Sequence, residues 1–317
     1  MSILLLDDFW KEDATSVEDK TSWIIKVLLA QVGVDIKDCH KLSVINEETN
    51  EWKVLGPKAE GFGPQVSTGK YVRKTFQPAL ERTKERIAKL SPNVIVGLGQ
   101  IPSWFLLNTG GVKAVRGAVA ASPYGKTIVT HSASDIIRDW KLRPIVMSDF
   151  AKARAESTSP TLVRPSRKIW IEPTLADLAE FEERYIRHAD LLSTDIETNG
   201  DQITCIGFAP SPDVGIVIPL SCTSPARGNN YWPTLSEELV ALSYIRRWCQ
   251  LPALFQNGLY DVQFLWRRYG IAVPNMADDT MLLHHAMQPE MQKGLGFLGS
   301  IYSNEASWKF MRKAKHD

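Results

Sequence analysis

The stretch Leu191-Leu192-Ser193-Thr194-Asp195-Ile196-Glu197-Thr198 decides how the second half of this 317-residue chain is read. Leu191 to Ile196 predicts a strand, and two further strands follow at Gln202 to Ala209 and Gly215 to Leu220. The connections between them, Thr198-Asn199-Gly200-Asp201 and Pro210-Ser211-Pro212-Asp213, are short and rich in turn formers, which suits antiparallel hairpins. A helix over Ser236 to Cys249, a strand over Ala253 to Gln256 and a helix over Tyr260 to Tyr269 come next. Two more helical stretches cover Asp279 to Met287 and Gly294 to Tyr302.

Asp195 and Glu197 stand two apart on the first of these strands, so both point to one face. Two acids side by side on an otherwise apolar strand are costly unless something cationic neutralises them. Asp261 begins the helix after the next parallel strand and can reach the same end of the sheet, where ligands of such sheets gather. Carboxylate oxygens suit Mg²⁺ or Mn²⁺ rather than zinc. Two such ions about 4 Å apart can activate a water and stabilise a leaving 3′ oxygen. Each residue also has a plainer reading. An Asp-x-Glu pair arises by chance, Asp261 is favoured by the helix dipole, and Asn257 is an ordinary turn residue at a strand end.

Three antiparallel strands followed by alternating helix and strand resemble a ribonuclease-H-like fold. Within it, Asp195-Ile196-Glu197-Thr198 resembles the first motif of the 3′–5′ proofreading exonuclease domain of family-A DNA polymerases, a four-acid (DEDD) exonuclease. Asn257-Gly258-Leu259-Tyr260-Asp261 resembles the second motif, Asn-x-x-Tyr-Asp. Asp279-Thr280-Met281-Leu282-Leu283-His284-His285 and Lys293-Gly294-Leu295-Gly296-Phe297-Leu298 resemble the helical stretch that follows in phage polymerases. By this resemblance Asp195 bridges two metals, Glu197 helps hold the first and Asp261 the second, while Thr198, Asn257 and Tyr260 meet the 3′-terminal nucleotide. The third motif, Tyr-x-x-x-Asp or His-x-x-x-x-Asp, has no counterpart: Lys313 and Arg312 stand where its Tyr or His would precede Asp317, and Pro289 follows His284 where its Asp would. His284 and His285 are therefore read as helix residues, one buried and one exposed. The missing acid leaves three expectations open: a fragment of a longer polymerase, one piece of a split polymerase completed by a partner chain, or a domain that keeps DNA binding without catalysis.

The first half alternates strands and helices. Strands are predicted over Ser2 to Leu6, Lys41 to Ile45, Asn93 to Leu98 and Thr127 to Thr130, and helices over Thr21 to Val32 and Pro78 to Leu90. That order implies a parallel sheet covered on both faces. Ser91-Pro92-Asn93-Val94-Ile95-Val96-Gly97-Leu98-Gly99-Gln100, Arg116-Gly117 and Thr130-His131-Ser132-Ala133 resemble segments of family-4 uracil-DNA glycosylases. The resemblance implies a flipped base held by polar readers, with His131 stabilising the departing anion, Asp7 or Asp8 positioning water, and Asn46 reading the base. Ile3-Leu4-Leu5-Leu6-Asp7-Asp8-Phe9-Trp10 replaces the family's glycine-rich water-activating motif, no proline follows His131, and the four cysteines of the family's iron–sulfur cluster are absent, so no such cluster is expected.

Composition frames these readings. The length suits two domains, and 44% hydrophobic with 23% charged residues is ordinary for globular protein. A net charge of +1 neither points to nor excludes nucleic acid. No apolar run approaches a membrane span, and Met1 is followed by no basic start of a secretory signal. Cys39, Cys205, Cys222 and Cys249 are scattered, which predicts reduced thiols and a cytoplasmic setting, the host cytoplasm if the chain is phage-encoded. Residues 151–167 have linker composition. The expected arrangement is thus two α/β domains: a glycosylase-like parallel-sheet α/β/α domain over 1–150 and a ribonuclease-H-like mixed-sheet exonuclease domain over 168–317. The expected activity is proofreading 3′–5′ exonuclease action on single-stranded DNA 3′ ends with Mg²⁺ or Mn²⁺, partnered by a polymerase module or complementary polymerase chain. The alternatives are a non-catalytic DNA-binding or polymerase-accessory subunit, and a uracil-DNA glycosylase.

Overall fold

The structure, a computed structural model, describes residues 2–8, 20–45, 54–109, 111–222 and 229–305. The chain divides into two compact units, one formed by Met1–Val163 with Gly296–Asp317 and the other by Arg164–Leu295.

In the first unit, β1 (Ile3–Asp7), α1 (Lys20–Gln31) and β2 (His40–Ser43) open a parallel sheet. A small antiparallel sheet follows, with β3 (Leu55–Gly56), β4 (Gly61–Ser67) and β5 (Lys70–Arg73) in the order β3-β5-β4. Then come α2 (Gln77–Leu90), β6 (Val94–Leu98), α3 (Gln100–Leu107), the single turn α4 (Val112–Val115), β7 (Val119–Ser122), β8 (Gly125–Thr130), α5 (Ala133–Arg138) and α6 (Arg143–Glu156). The main sheet runs β2-β1-β6-β8-β7, with β7 antiparallel at its edge. The two-residue period of β1 explains why both faces are covered. Ile3 and Leu5 enter one core with Ile25, Leu28, Ile136 and Phe150, while Leu4 and Leu6 enter the other with Leu80, Ile87 and Phe105. The segment read as linker differs at its start: α6 continues through Glu156, because Ala151-Lys152-Ala153-Arg154-Ala155-Glu156 are strong helix formers and Ala153 is buried.

The second unit contains β9 (Lys168–Trp170), α7 (Leu175–Arg184), β10 (Leu192–Asn199), β11 (Gln202–Ser211), β12 (Val214–Pro219), α8 (Leu235–Trp248), β13 (Ala253–Phe255), α9 (Gly258–Tyr269), β14 (Met276–Asp279) and α10 (Thr280–Met287). Its sheet order is β14-β13-β10-β11-β12-β9. The hairpins β10/β11 and β11/β12 are antiparallel, and β13 and β14 add in parallel on the other side. This is the ribonuclease-H-like arrangement expected, with β9 as an added parallel edge strand on β12. Leu178 and Phe181 of α7 and Ala241, Ile245 and Trp248 of α8 pack on Leu192, Ile196, Phe208 and Ile216. Thr174 and Thr234 start α7 and α8 with reciprocal capping boxes to Asp177 and Glu237.

The last described helix, α11 (Leu295–Tyr302), belongs with the first unit and not with the second, where the sequence reading put it. Its docking is polar. Buried Arg116 grips Asp149 with two nitrogens at 2.7 and 3.2 Å and donates to Ser300 Oγ at 2.7 Å. Thr130 Oγ1 donates to the same carboxylate at 2.6 Å. Lys152 Nζ reaches the carbonyls of Gly117, Ser300 and Ser303 at 2.8, 2.6 and 2.5 Å. An ammonium has three protons to give, and three carbonyls take them, two at the end of α11 and one just past α4. Gly117 makes room: its φ is +72°, and a Cβ there would stand 2.5 Å from Ser300 O.

Candidate active site

The alternation that buries Leu192, Thr194 and Ile196 of β10 sends Ser193, Asp195 and Glu197 to the exposed face. The predicted pairing of the two acids on one face therefore holds, and the exposure removes most of the cost of placing them together. A bulge between Glu197 and Thr198 follows at once, and Thr204 Oγ1 donates to Glu197 O at 3.0 Å.

Asp261 joins them through the backbone. Leu192 N–H points towards the β13 side of β10, where it donates to Pro252 O at 2.8 Å. The same period aims Ile196 N–H that way, but β13 pairs with β10 only at Leu192 and Ser193. The chain leaves the ladder after Phe255, turns, and starts α9. Asp261, in the first turn of that helix and 3% exposed, places Oδ1 2.9 Å from Ile196 N. A carboxylate thus occupies the ladder position at Ile196, the residue between Asp195 and Glu197 in the strand. Burial pushes its pKa up to about 7, with the charges of Asp195 and Asp279 adding to the rise and the Ile196 bond opposing it. That is a carboxyl in a field of negative charge, an environment a divalent cation would relieve.

Thr198 Oγ1 and Tyr260 Oη lie 2.7 Å apart, tying the end of β10 to the first turn of α9. Tyr260 remains 44% exposed with its ring against Phe264, centroids 4.7 Å apart. Asn257 is exposed and left-handed, with φ 64° and ψ 44°, and makes no side-chain cap bond. Asp279 starts a helix, as the sequence predicts: it is the N-cap of α10, and also the last residue of β14 and almost wholly buried, and its carboxylate accepts from Asn257 N, Gly258 N and Met281 N at 3.1, 2.8 and 2.8 Å. Its position just before an apolar helical run was the legible signal, since Asp is a preferred N-cap.

The donor chemistry, three carboxylates on adjoining elements, fits a hard divalent cation. Yet no three acids, histidines or cysteines among the described residues stand close enough to form a ready metal cage. Asp317 lies outside the described residues. Beside Asp195, a shallow cavity of about 260 Å³ runs over the exposed sheet face between Ser193, Gly207, Ala209 and Gly215, with Arg167 at its rim. His284 is buried and His285 exposed, as read from sequence.

In the first unit, Asp7 ends β1, Asp8 follows it, and His131 follows β8, with β6 between the two strands. Two strand spacings put their backbones about 10 Å apart at the carboxyl edge of the sheet. His131 is buried, and burial lowers its pKa, so the imidazole is neutral near pH 7. Its Nδ1 lies 4.0 Å from Asp135 Oδ2, the carboxylate that caps α5 together with Ser132. Asn46 lies outside the described residues. All four cysteines are free, and burial raises Cys39 to about 11 and Cys249 to about 12, so these two thiols are inert. No described helix is long and apolar enough to cross a membrane.

No family model matches the chain, and no curated protein matches it. Solved structures do. The chain is similar to the exonuclease domain of Nibbler from Aedes aegypti, at 12% identity over 49% of this chain and 79% of that one, with a TM-score of 0.33. It is similar to the exonuclease domain of EXD2, from a crystal soaked in Mg and dGMP, at 16% identity, 38% and 58% coverage and a TM-score of 0.28. It is also similar to NrnC of Brucella melitensis, at 15% identity, 43% and 59% coverage and a TM-score of 0.28. The chain thus spans less than two thirds of the EXD2 and NrnC structures.

Proposed function

We propose that the unit Arg164–Leu295 is a divalent-metal-dependent 3′–5′ exonuclease acting on single-stranded DNA ends. The observation that carries this reading is the bond from Ile196 N–H to Asp261, which ties a buried acid to the strand residue that separates Asp195 from Glu197. These three acids would hold Mg²⁺ or Mn²⁺. When bound, the metal supplies charge for the developing phosphorane-like oxygens and activates water for attack. Around it, Thr198 and Tyr260 form one hydrogen-bonded unit beside the acids, and the exposed Tyr260 ring offers a face for the terminal nucleotide. Asn257, exposed at the same turn, presents an amide to that nucleotide. The order of the two motifs supports a proofreading setting in replication, and with it a polymerase module or complementary polymerase chain as partner.

A non-catalytic DNA-binding or polymerase-accessory role is the second reading, favoured by the unconverged acids. For the first unit, the order of the four parallel strands and the neutral His131 across from Asp7 support a glycosylase-like role.

Digestion of 5′-labelled single-stranded DNA with Mg²⁺ or Mn²⁺ tests the first reading. Stepwise shortening by the chain that vanishes in Asp195→Ala is the expected result. DNA binding without shortening would replace it with the second. Release of uracil without added metal would assign that chemistry to the first unit.

A further inference from the structure

We propose that Asp279 is a positioning residue whose single carboxylate caps two helices and thereby fixes where α9 presents Asp261 and Tyr260 to β10. This rests on the reading of Asp195, Glu197 and Asp261 as metal-holding acids.

The argument begins with what α9 lacks. A helix opens with N–H groups that have no partner inside it. Asn257 stands at the N-cap of α9, but its side chain makes no cap bond, and its backbone is left-handed, a conformation that disfavours any residue with a Cβ. Something outside the helix must hold that turn. Asp279 does so: Oδ1 accepts from Asn257 N–H at 3.1 Å and Oδ2 from Gly258 N–H at 2.8 Å. The same Oδ1 accepts Met281 N–H at 2.8 Å, which is the ordinary N-cap bond of α10.

The neighbouring strands make this reach possible. β13 and β14 run parallel with Phe255 opposite Asp279, so the turn leaving β13 passes directly over the end of β14. Gly258 is required for the approach, since a Cβ on it would stand 2.5 Å from Phe255 Cβ. Asp279 is 6% exposed, so its bonds are shielded from water. Two and three residues beyond Gly258 come Tyr260 and Asp261, each tied to β10 through Thr198 and Ile196. A turn held by Asp279 sets the register of α9 and hence where these two side chains fall. Loss of outer partners that orient metal ligands typically weakens metal binding about 10- to 100-fold.

The test uses the full chain with Asp279→Ser, Asp279→Ala and Asp195→Ala, checked for folding by far-UV circular dichroism. Serine is a good N-cap and keeps the bond to Met281 N–H, but it is too short to reach Asn257 and Gly258. Hydrogen exchange is followed over residues 257–264 and 280–287, and Mn²⁺ affinity by electron paramagnetic resonance. The expected result for Asp279→Ser is exchange at least 10-fold faster over 257–264, unchanged exchange over 280–287, and Mn²⁺ affinity about 10-fold weaker. If serine restores everything that alanine loses, Asp279 merely caps its own helix and the proposal fails. Faster exchange with unaltered Mn²⁺ affinity also overturns it. A wild-type chain that binds Mn²⁺ no better than Asp195→Ala would sink the metal reading instead, and exchange over 257–264 would then decide by itself whether Asp279 sets the start of α9.

Discussion

Asp261→Asn is expected to stabilise the protein most at pH 8 and by roughly a third as much at pH 5. The Asp261 carboxyl is raised from its ordinary 3.8 to about 7, chiefly by burial. Between those values the folded chain keeps a proton that the unfolded chain has lost, so the stability this proton supports declines as pH rises from about 4 to 7. Three pK units at 1.36 kcal/mol each set a ceiling of about 4 kcal/mol for the penalty above pH 7. Solvent screening at the mouth of the site brings the expectation to about 2 kcal/mol. Asparagine keeps an oxygen for the Ile196 N–H and carries no charge to bury, so it escapes the penalty. Urea unfolding of both proteins from pH 5 to pH 8 measures it: the gap should open with pH and favour the variant. Millimolar Mn²⁺ should close the gap at pH 8 by binding only the wild type. A gap that stays constant across that range would show that the carboxyl titrates normally and that the burial argument is wrong.

Three other outcomes follow from the described contacts. Arg116→Ala should cost about 3–5 kcal/mol in urea unfolding, because it strands the fully buried Asp149, and adding Asp149→Asn should recover part of the loss. Gly117→Ala should cost more than about 1 kcal/mol, since φ is +72° and the new Cβ would strike Ser300 O, and hydrogen exchange should rise first over residues 296–305. Tyr260→Phe removes the bond to Thr198, worth about 1 kcal/mol, and should raise KM for a DNA oligonucleotide several-fold more than it lowers kcat.

Local pattern made much of this fold legible. The two-residue period of Leu192, Thr194 and Ile196 predicted both the strand and the common face of Asp195 and Glu197, and the short turns at Asn199-Gly200 and Pro212-Asp213 predicted the hairpins. The small sheet of β3, β4 and β5 was hidden because Gly61-Phe62-Gly63-Pro64 breaks any strand pattern, and Phe62 and Val66 are held there by packing. The docking of α11 was out of reach because its partners, Arg116, Asp149 and Lys152, lie more than a hundred residues earlier and carry no local mark of it. At the site, the acids themselves could be named from spacing. Their side-chain aim could not, since Asp261 turns to a backbone N–H left open where β13 departs, and that vacancy exists only once the strands have paired.

The placement of α11 also sets a schedule for synthesis. The first unit cannot be finished when residue 163 leaves the ribosome, because the carbonyls that Lys152 and Arg116 grip belong to residues 300–303. At about 5–20 residues per second, the wait for that segment is roughly seven to thirty seconds. For that interval two cationic side chains face an unfilled slot while the entire second unit emerges and folds as an inserted loop. A chain truncated after residue 295 and released should therefore carry a protease-resistant second unit beside a first unit that is still open to cleavage.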